Sequence, residues 1–173
     1  MEGQFFHHNG STLFELIFFV GLVQGIPGIN NGLNKTTFDS LVKNSQKWVY
    51  NQTEKVLEAV IFEYTDWTNQ TNPLVLRKQF MDLITDALFK SPAVLSAQAF
   101  ISKEIKTFFY NYDYSHSRHF PSWAGVFHGA DLPYVFGYSF NWYNSSANAA
   151  EQVEEIRFAK TIMTMWSNFA KNG

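Results

Sequence analysis

Two side chains in this sequence could act together in acid–base chemistry, the imidazole of His128 and the carboxylate of Glu15. Histidine changes charge near neutral pH, so it can remove and return a proton while a carboxylate orients it. Taken alone, His128 beside Gly129 is typical of a loop or core histidine. Glu15 is less ordinary, because it lies in the apolar run 13–23, where burying an unpaired carboxylate is costly and a histidine would supply a partner.

The other histidines raise the alternative of a metal site. His116 and His119 are three positions apart, and His7 and His8 are adjacent. No third histidine or carboxylate follows at a fixed spacing, and the chain has no cysteine to supply a thiolate ligand. Solvated loop histidines are the better interpretation, so we expect neither a metal nor a cofactor.

The bulk composition limits the class of protein. The 173 residues have the length of one domain, with 46% hydrophobic and 18% aromatic residues, enough to build a core. A net charge of -2 without a basic run makes nucleic acid an unlikely partner on electrostatic grounds. Five sequons for N-glycosylation favour a secreted or cell-surface protein, headed by Asn9, Asn34, Asn51, Asn69 and Asn144.

The run 13–23 is the one candidate for a targeting segment. It contains Glu15, lacks a basic stretch before it, and is shorter than the roughly 20 residues of a membrane-spanning helix. We therefore expect a buried strand with its following turn, and no convincing signal peptide in this chain.

Hydrophobic periodicity predicts mostly helices with few strands, which favours the α/β class. We expect a strand at 105–114, a loop at 25–34 and a short helix at 130–136. The longer helices are predicted from about residue 38 after a Thr36 or Thr37 cap, at 56–64, at 74–89 (Leu76, Phe80, Leu83, Ile84 and Leu88 inward), from Pro92 to about 103 (Val94, Leu95, Ala97 and Ile101 inward), and at 149–171 (Val153, Ile156, Ile162, Trp166 and Phe169 on one stripe).

The surroundings of His128 carry a resemblance to a known family. Segment 123–137 (WAGVFHGADLPYVFG) has an aromatic and a small residue, then His-Gly, an acidic residue, and a closing aromatic-Val-Phe-Gly. It resembles the histidine loop of type-B carboxylesterases, cholinesterases and neuroligins. Blocks 64–67 (YTDW), 108–110 (FFY) and 166–173 (WSNFAKNG) resemble further motifs of that family, so the likeness extends over nearly the whole chain.

This resemblance implies an α/β-hydrolase fold and a Ser-Glu-His triad, in which His128 would take the proton of the serine and a glutamate would orient His128. Glu15 and Glu2 both lie in segments similar to the acid motif of the family. Glu15 precedes Trp67 by 52 positions (67 minus 15), close to the family interval, whereas Glu2 would require an insertion. We therefore prefer Glu15, although Leu16 replaces a family glycine that allows tight backbone geometry.

The serine nucleophile of the family has no counterpart in these 173 residues. Its elbow has the form Gly-x-Ser-x-Gly, and segment 137–141 (GYSFN) lacks the last glycine and follows the histidine. The resemblance thus implies that residues 1–173 are the C-terminal part of a single type-B carboxylesterase domain, mostly helical with a few sheet strands and without the part that holds the nucleophile elbow.

Three functional hypotheses remain open. The first is a carboxylic-ester hydrolase lineage, with a small ester as substrate of a longer relative and no turnover by this chain alone. The second is a non-catalytic adhesion or recognition protein of the neuroligin kind, which would have a protein partner. The third is a truncated chain without independent function, poorly soluble because half of a sheet exposes apolar edges. The tryptophans 67, 123 and 166 are expected to anchor the core under any of them.

Overall fold

The computed structural model describes residues 4–9, 26, 28–49, 54–114, 121–126, 129–137 and 149–173. Two strands, β1 and β2, lie among helices that account for most of this part of the chain. In chain order the elements are β1 (Gln4–Asn9), a 3-10 turn (Ile29–Asn31), α1 (Lys35–Val49), α2 (Glu54–Glu63), α3 (Pro73–Thr85), a π-helical turn (Asp86–Lys90), α4 (Ser91–Ile101), β2 (Thr107–Tyr112), a second 3-10 turn (Ser122–Ala124), α5 (Leu132–Val135) and α6 (Ala149–Asn172).

The two strands pair in parallel, with Gln4 opposite Thr107 and Asn9 opposite Tyr112. Parallel strands need a crossover connection, and here α1 to α4 lie between them in the chain. Helix α4 packs against both strands. Alternate side chains of β2 contact α6 through pairs of aromatic rings: Phe108 with Phe169, Tyr110 with Trp166, and Tyr112 with Phe158. The pair of strands is therefore covered by helices, as expected for an α/β protein.

The larger buried cluster, called the first core here, joins α1, α2 and α3 to the turn that precedes α1. Its most deeply buried members are Phe38, Leu33, Leu76, Leu83 and Val42. Phe38 and Val42 are four residues apart on α1, and Leu76, Phe80 and Leu83 recur at steps of four and three on α3, so each helix presents one apolar face to the other.

Asparagine side chains and one glycine set the ends of these helices. Oδ1 of Asn34 accepts from the backbone N–H of Thr37 at the start of α1, so the cap is Asn34, and the predicted Thr36 or Thr37 cap is wrong. Asn72 caps α3 in the same way, with Pro73 in the first turn. Gly32 has φ 103° and approaches Pro73 closely, and the N–H of Leu33 donates to the carbonyl of Pro73 at 2.8 Å.

Helices α3 and α4 run into one another through the π-helical turn Asp86–Lys90. A carboxylate at its start is held on both sides: Oδ2 of Asp86 accepts from the Tyr64 hydroxyl at 2.8 Å, and Oδ1 lies 3.0 Å from Nζ of Lys90. Each hydrogen-bonded ring of the turn contains one residue more than a ring of an α-helix. A buried face predicted from one continuous α-helical period is therefore wrong for the residues after the turn.

Several predicted burial faces are corrected by the structure. Leu76, Phe80, Leu83 and Ile84 are buried as predicted, but Leu88 lies in the π turn and is exposed. On α4 only Ala97 is buried, whereas Val94, Leu95 and Ile101 are exposed, because a helix that is apolar on several sides does not reveal which side is covered. On α6 the buried residues are Glu155, Ala159 and Ile162, and the predicted inward Val153 is exposed.

The loop before α1, the aromatic strand β2, the short helix α5 and the long helix α6 agree with the predictions to within a few residues, whereas the strand β1 was not predicted. The predicted strand at 13–23 lies outside the described residues. Among the helices that the structure describes, none is both long enough and apolar enough to cross a membrane.

Candidate functional site

The two residues predicted to act together, His128 and Glu15, both lie outside the described residues. The same holds for Glu2, the alternative acid, and for His116 and His119. The structure does describe the chain on each side of His128, up to Val126 before it and from Gly129 after it. The candidate site is therefore built here from the contacts that fix these flanks.

The flank after His128 is fixed by a buried carboxylate on α6. Glu155 is only 2% exposed and uses both oxygens: Oε2 accepts from the Tyr134 hydroxyl at 2.5 Å and Oε1 accepts from the Tyr114 hydroxyl at 2.7 Å. Tyr134 belongs to α5 and Tyr114 follows β2, so one carboxylate joins three segments. Burial of a carboxylate is tolerable when hydrogen bonds satisfy it in this way.

Aromatic packing closes around that carboxylate. The rings of Tyr114, Tyr134 and Phe158 contact one another, with centroid separations of 4.1 Å from Tyr114 to Phe158 and 5.2 Å from Tyr134 to Phe158. The cluster to which Tyr134 belongs, called the second core here, also contains Tyr112, Val126, Ala130, Ala159 and Ile162. Helix α5 is thus held against α6 by both packing and hydrogen bonds.

The flank before His128 is fixed on the other side by an arginine of α3. The guanidinium of Arg77 stacks over the ring of Trp123, with Cζ 4.3 Å from the ring centroid. Its Nη1 donates to the carbonyl oxygens of Ile29 and Asn30, at 3.1 and 2.8 Å. Arg77 is 8% exposed, and burial lowers the pKa of its guanidinium from the ordinary value. One side chain therefore joins α3, the turn before α1 and the histidine segment.

One residue on each side of His128, two positions away, is anchored as well. Val126 and Ala130 are both buried in the second core, while Trp123 packs against the first core. Gly129, directly after His128, has φ 81°, and an added Cβ would lie 3.4 Å from Cδ1 of Leu132. The left-handed backbone at this point favours glycine, which explains the His-Gly pair of the motif.

A second acidic residue contributes to the electrostatics of this region. Asp131, the acidic position of the histidine motif, is buried at the start of α5. Burial, and next to it the charge of Asp131, raise the pKa of the Tyr110 hydroxyl well above its ordinary value of about 10. The Tyr110 hydroxyl thus loses its proton at a higher pH in the folded chain than in the unfolded chain.

The block 64–67 proves to be a structural turn at the end of α2. Oδ1 of Asp66 accepts from the hydroxyl and the backbone N–H of Thr68, at 2.6 and 2.9 Å, and these bonds lower the pKa of the Asp66 carboxyl. Nε1 of Trp67 donates to the carbonyl of Phe62. Trp67 is 54% exposed, so its prediction as a core anchor is wrong, whereas Trp123 and Trp166 pack at the edges of the two cores.

No group of three or more histidine, aspartate or glutamate side chains that could hold a metal ion occurs within the described ranges. Between the two flanking anchors lie Phe127 and His128.

Comparison with known proteins shows which family the chain belongs to. Residues 10–173 match the sequence profile of the carboxylesterase family, which covers the whole histidine segment and its anchors. The chain belongs to the carboxylesterase family. The chain is similar to mouse neuroligin-3 (31% identity over 155 residues), human neuroligin-2 (31% over 147 residues) and chicken acetylcholinesterase (30% over 154 residues).

The matches cover most of this chain but only a small part of each relative. They cover 87%, 83% and 88% of this carboxylesterase-family chain, but only 19%, 18% and 19% of the respective relatives. The chain spans about a fifth of the length of the curated relatives it matches. The family resemblance predicted from the histidine segment is thus confirmed.

The sequence alone did not single out Arg77 or Glu155. Each is a charged residue in an apolar helical stripe, Arg77 between Leu76 and Phe80 on α3, and Glu155 four residues before Ala159 on α6. A charge at an inward position of an amphipathic helix was the available signal, because such a residue must find buried partners.

Proposed function

We propose that this carboxylesterase-family chain is the part of an α/β-hydrolase domain that supplies the acid and the histidine of a Ser-Glu-His triad. In that role His128 takes the proton of a serine hydroxyl and later donates it to the leaving alcohol, while Glu15 orients the imidazole. The substrate class is a small carboxylic ester. Since the 173 residues contain no Gly-x-Ser-x-Gly elbow, they should not turn over esters by themselves.

The observation that carries the proposal for His128 is that both of its flanks are anchored. Trp123, five positions before it, stacks on Arg77, and Tyr134, six positions after it, donates to Glu155. An imidazole that exchanges protons in a transition state needs such support, because a displacement of about 1 Å can cost on the order of 10²-fold in rate.

The order of the strands supports Glu15 over Glu2 as the acid. The carboxyl ends of parallel strands lie at the same edge of a sheet, and ligands bind there in open α/β folds. Glu15 follows the end of β1 at Asn9 by six positions, and His128 follows the end of β2 at Tyr112 by sixteen. Glu2 precedes β1, which favours the opposite edge.

The proposal is tested by measuring how much Glu15 changes the pKa of His128. An opposite charge within about 4–6 Å raises a histidine pKa above its ordinary 6.5 by about 1–3 units. The pKa of His128 can be measured from the pH dependence of acylation by diethyl pyrocarbonate, which reacts with neutral imidazole, with peptide mass spectrometry to separate the five histidines. Glu15→Gln should lower this pKa by at least one unit, whereas the matched Glu2→Gln should leave it unchanged. The reverse result assigns the acid to Glu2, and no effect of either variant overturns the pair.

Ester turnover provides an independent check on the missing nucleophile. The purified chain should show no hydrolysis of p-nitrophenyl acetate that a phosphonate blocks. Hydrolysis that a phosphonate blocks stoichiometrically would reveal a serine nucleophile within these residues and contradict the proposal.

A second candidate is a non-catalytic recognition or adhesion role of the neuroligin kind. It is favoured by the similarity to mouse neuroligin-3 and human neuroligin-2, which is as high as that to chicken acetylcholinesterase. One residue separates the two candidates. If a longer transcript of the same gene encodes Gly-x-Ser-x-Gly upstream, the hydrolase proposal stands, and another residue in place of that serine supports a protein partner instead.

The sequons add a proposal on location. We propose a secreted or cell-surface glycoprotein, and this is supported by the exposure of Asn34 and Asn69, since acceptors of N-glycans must be accessible.

A further inference from the structure

We propose that Trp67 is the docking face for an N-glycan on Asn69, and that the first sugar of this glycan stabilises the turn after α2. The inference rests on the proposed location in the secretory pathway, because N-glycans are added there. It is carried by the exposed ring of Trp67, which lies two positions before the acceptor asparagine in the same turn.

Trp67 and Phe62 form an exposed aromatic pair. The centroids of the two rings are 5.0 Å apart, the rings are inclined at 45°, and Nε1 of Trp67 donates to the carbonyl of Phe62 at 3.2 Å. The ring contact and this bond fix the orientation of the indole. Nevertheless, Trp67 is 54% and Phe62 63% exposed. Covering an apolar ring that is already held in place lowers the free energy, since no side chain has to be ordered first.

The backbone places the acceptor asparagine beside this ring. The N–H of Asn69 donates to the carbonyl of Asp66 at 3.0 Å, which closes a turn over residues 66–69 that contains Trp67. The N–H of Asp66 donates to the side chain of Gln79 at 2.8 Å, so the turn is anchored to α3. Cα atoms two positions apart are separated by no more than about 7.6 Å. A sugar on Nδ2 of Asn69 therefore begins within reach of the indole.

The chemistry of the sugar suits an aromatic face. A pyranose ring presents weakly positive C–H bonds on one side, whereas the face of an aromatic ring is negative. N-acetylglucosamine, the first sugar of an N-glycan, is such a ring. Asn69 and Thr71, the hydroxyl residue of its sequon, are both exposed. The bond that closes the turn uses the backbone of Asn69, so attachment of a sugar to the side chain does not break it.

A second exposed sequon provides a matched comparison. Asn34 is exposed like Asn69, but the residue two positions before it is Gly32, which has no ring. Oδ1 of Asn34 caps α1, so Thr36→Ala is the suitable change, because it removes the acceptor signal and keeps the cap. A glycan at Asn34 should therefore leave Trp67 unaffected.

Oxidative footprinting of the glycosylated chain tests the contact. The chain is directed into the secretory pathway of animal cells that make high-mannose glycans, trimmed by endoglycosidase H to one N-acetylglucosamine per site, and exposed to hydroxyl radicals. Trypsin cuts after Lys55 and Arg77, and Trp67 is the only tryptophan between them, so mass spectrometry gives its oxidation rate. This rate should be about half of that in Thr71→Ala, because the sugar covers one of the two faces of the ring. Thr36→Ala should keep the protection.

Thermal melts give an independent readout. The trimmed chain should melt about 2–4 °C higher than Thr71→Ala, as expected for one favourable contact in a domain of this length. In the Trp67→Ser background Thr71→Ala should have no effect, whereas the Trp67→Phe background, which keeps an aromatic face, should retain most of the difference. Comparison of the backgrounds separates the contact from any effect of Thr71→Ala on the protein itself. Equal effects of Thr71→Ala in all three backgrounds overturn the stabilising role.

The possible outcomes distinguish this inference from the proposal on location. Equal oxidation rates of Trp67 with and without the sugar overturn the docking, and so does a chain in which Asn34 carries a glycan and Asn69 does not. Both results leave the secretory location standing. A chain that passes through the secretory pathway without a glycan at any sequon contradicts the inference and the proposed glycoprotein together.

Discussion

The hydroxyl of Tyr134 lies 2.5 Å from Oε2 of Glu155, and this contact fixes helix α5 to helix α6 six positions after His128. Tyr134 is buried, whereas Tyr114, which binds the other oxygen of the same carboxylate, is half-buried. The two tyrosines therefore make comparable bonds in environments of different solvent access.

This difference leads to a prediction for two matched variants. Tyr134→Phe should lower the free energy of unfolding by about 1.5–3 kcal/mol, the range for a hydrogen bond to a charged group, because the buried carboxylate loses a donor that water cannot readily replace. Tyr114→Phe should cost less, since water can reach its site. Thermal melts followed by circular dichroism measure both. Equal losses would show that Glu155 does not distinguish its two donors.

Alkaline pH should destabilise the chain through Tyr110. The pKa of its hydroxyl is raised in the folded state by burial and by Asp131, so the stabilising difference is present below the unfolded pKa of about 10 and is lost as the pH rises above it. The melting temperature should fall between about pH 10 and 12, and Tyr110→Phe should reduce this fall. The tyrosinate absorbance near 295 nm reports the ionisation. A pH dependence identical in Tyr110→Phe would contradict the assignment.

Two glycines with positive φ should respond very differently to alanine. Gly28 has φ 76° and no atom within 4 Å of an added Cβ, so Gly28→Ala should cost only the backbone strain of about 1–2 kcal/mol. At Gly32 the added Cβ would lie 2.4 Å from the carbonyl carbon of Pro73, and Gly32→Ala should cost clearly more. Urea titrations give both values, and a smaller loss at Gly32 than at Gly28 would contradict the close approach to α3.

Glycosylation should be observed at Asn69 when the chain passes through the secretory pathway. Asn69 is exposed in the turn after α2, and its backbone N–H donates to the carbonyl of Asp66. Secretory expression in animal cells should yield a mass increase that peptide N-glycosidase removes and that Asn69→Gln reduces by one glycan. Retention of the full mass increase in Asn69→Gln would show that this sequon is unused.

The chain produced alone should self-associate through apolar residues that its described part leaves uncovered. Leu95 is 65% and Ile101 61% exposed on α4. Replacing both by lysine should raise the soluble fraction without lowering the melting temperature, because neither side chain is buried. Ala97→Lys on the same helix should destabilise the fold, since Ala97 is buried. A soluble wild-type monomer at micromolar concentration in light scattering would argue against this expectation.

The sequence predicted most helices because their periodicity is a local property. Phe38 and Val42, or Leu76 and Phe80, are buried at the spacing that the pattern indicated. The predictions failed where burial depends on partners distant in the chain. Val153 is apolar, as the pattern requires, but it is exposed. Glu155 is buried instead, because the hydroxyls of Tyr114 and Tyr134 donate to its carboxylate.

In the candidate site, too, local sequence features could be predicted and contacts between distant residues could not. His128 could be singled out because a motif of about fifteen positions surrounds it, and motifs are visible in a single sequence. Arg77 could not, since its partners are two backbone carbonyls nearly fifty positions away and a tryptophan on a later segment. Glu15 and His128 themselves lie outside the described residues, so their contact stays a prediction.

The π-helical turn at Asp86–Lys90 has a consequence for how this family can vary in length. Its i to i+5 rings hold one residue more than an α-helical ring, and the helices on either side continue without a break. Deleting a single residue there would convert the bulge into ordinary α-helix while leaving α3 and α4 facing their present neighbours. The same deletion elsewhere in either helix would rotate every downstream side chain by about 100°, the angle between residues at 3.6 per turn. Segment 86–90 is thus the place in this long helical stretch where the loss of one residue would disturb the faces of α3 and α4 least.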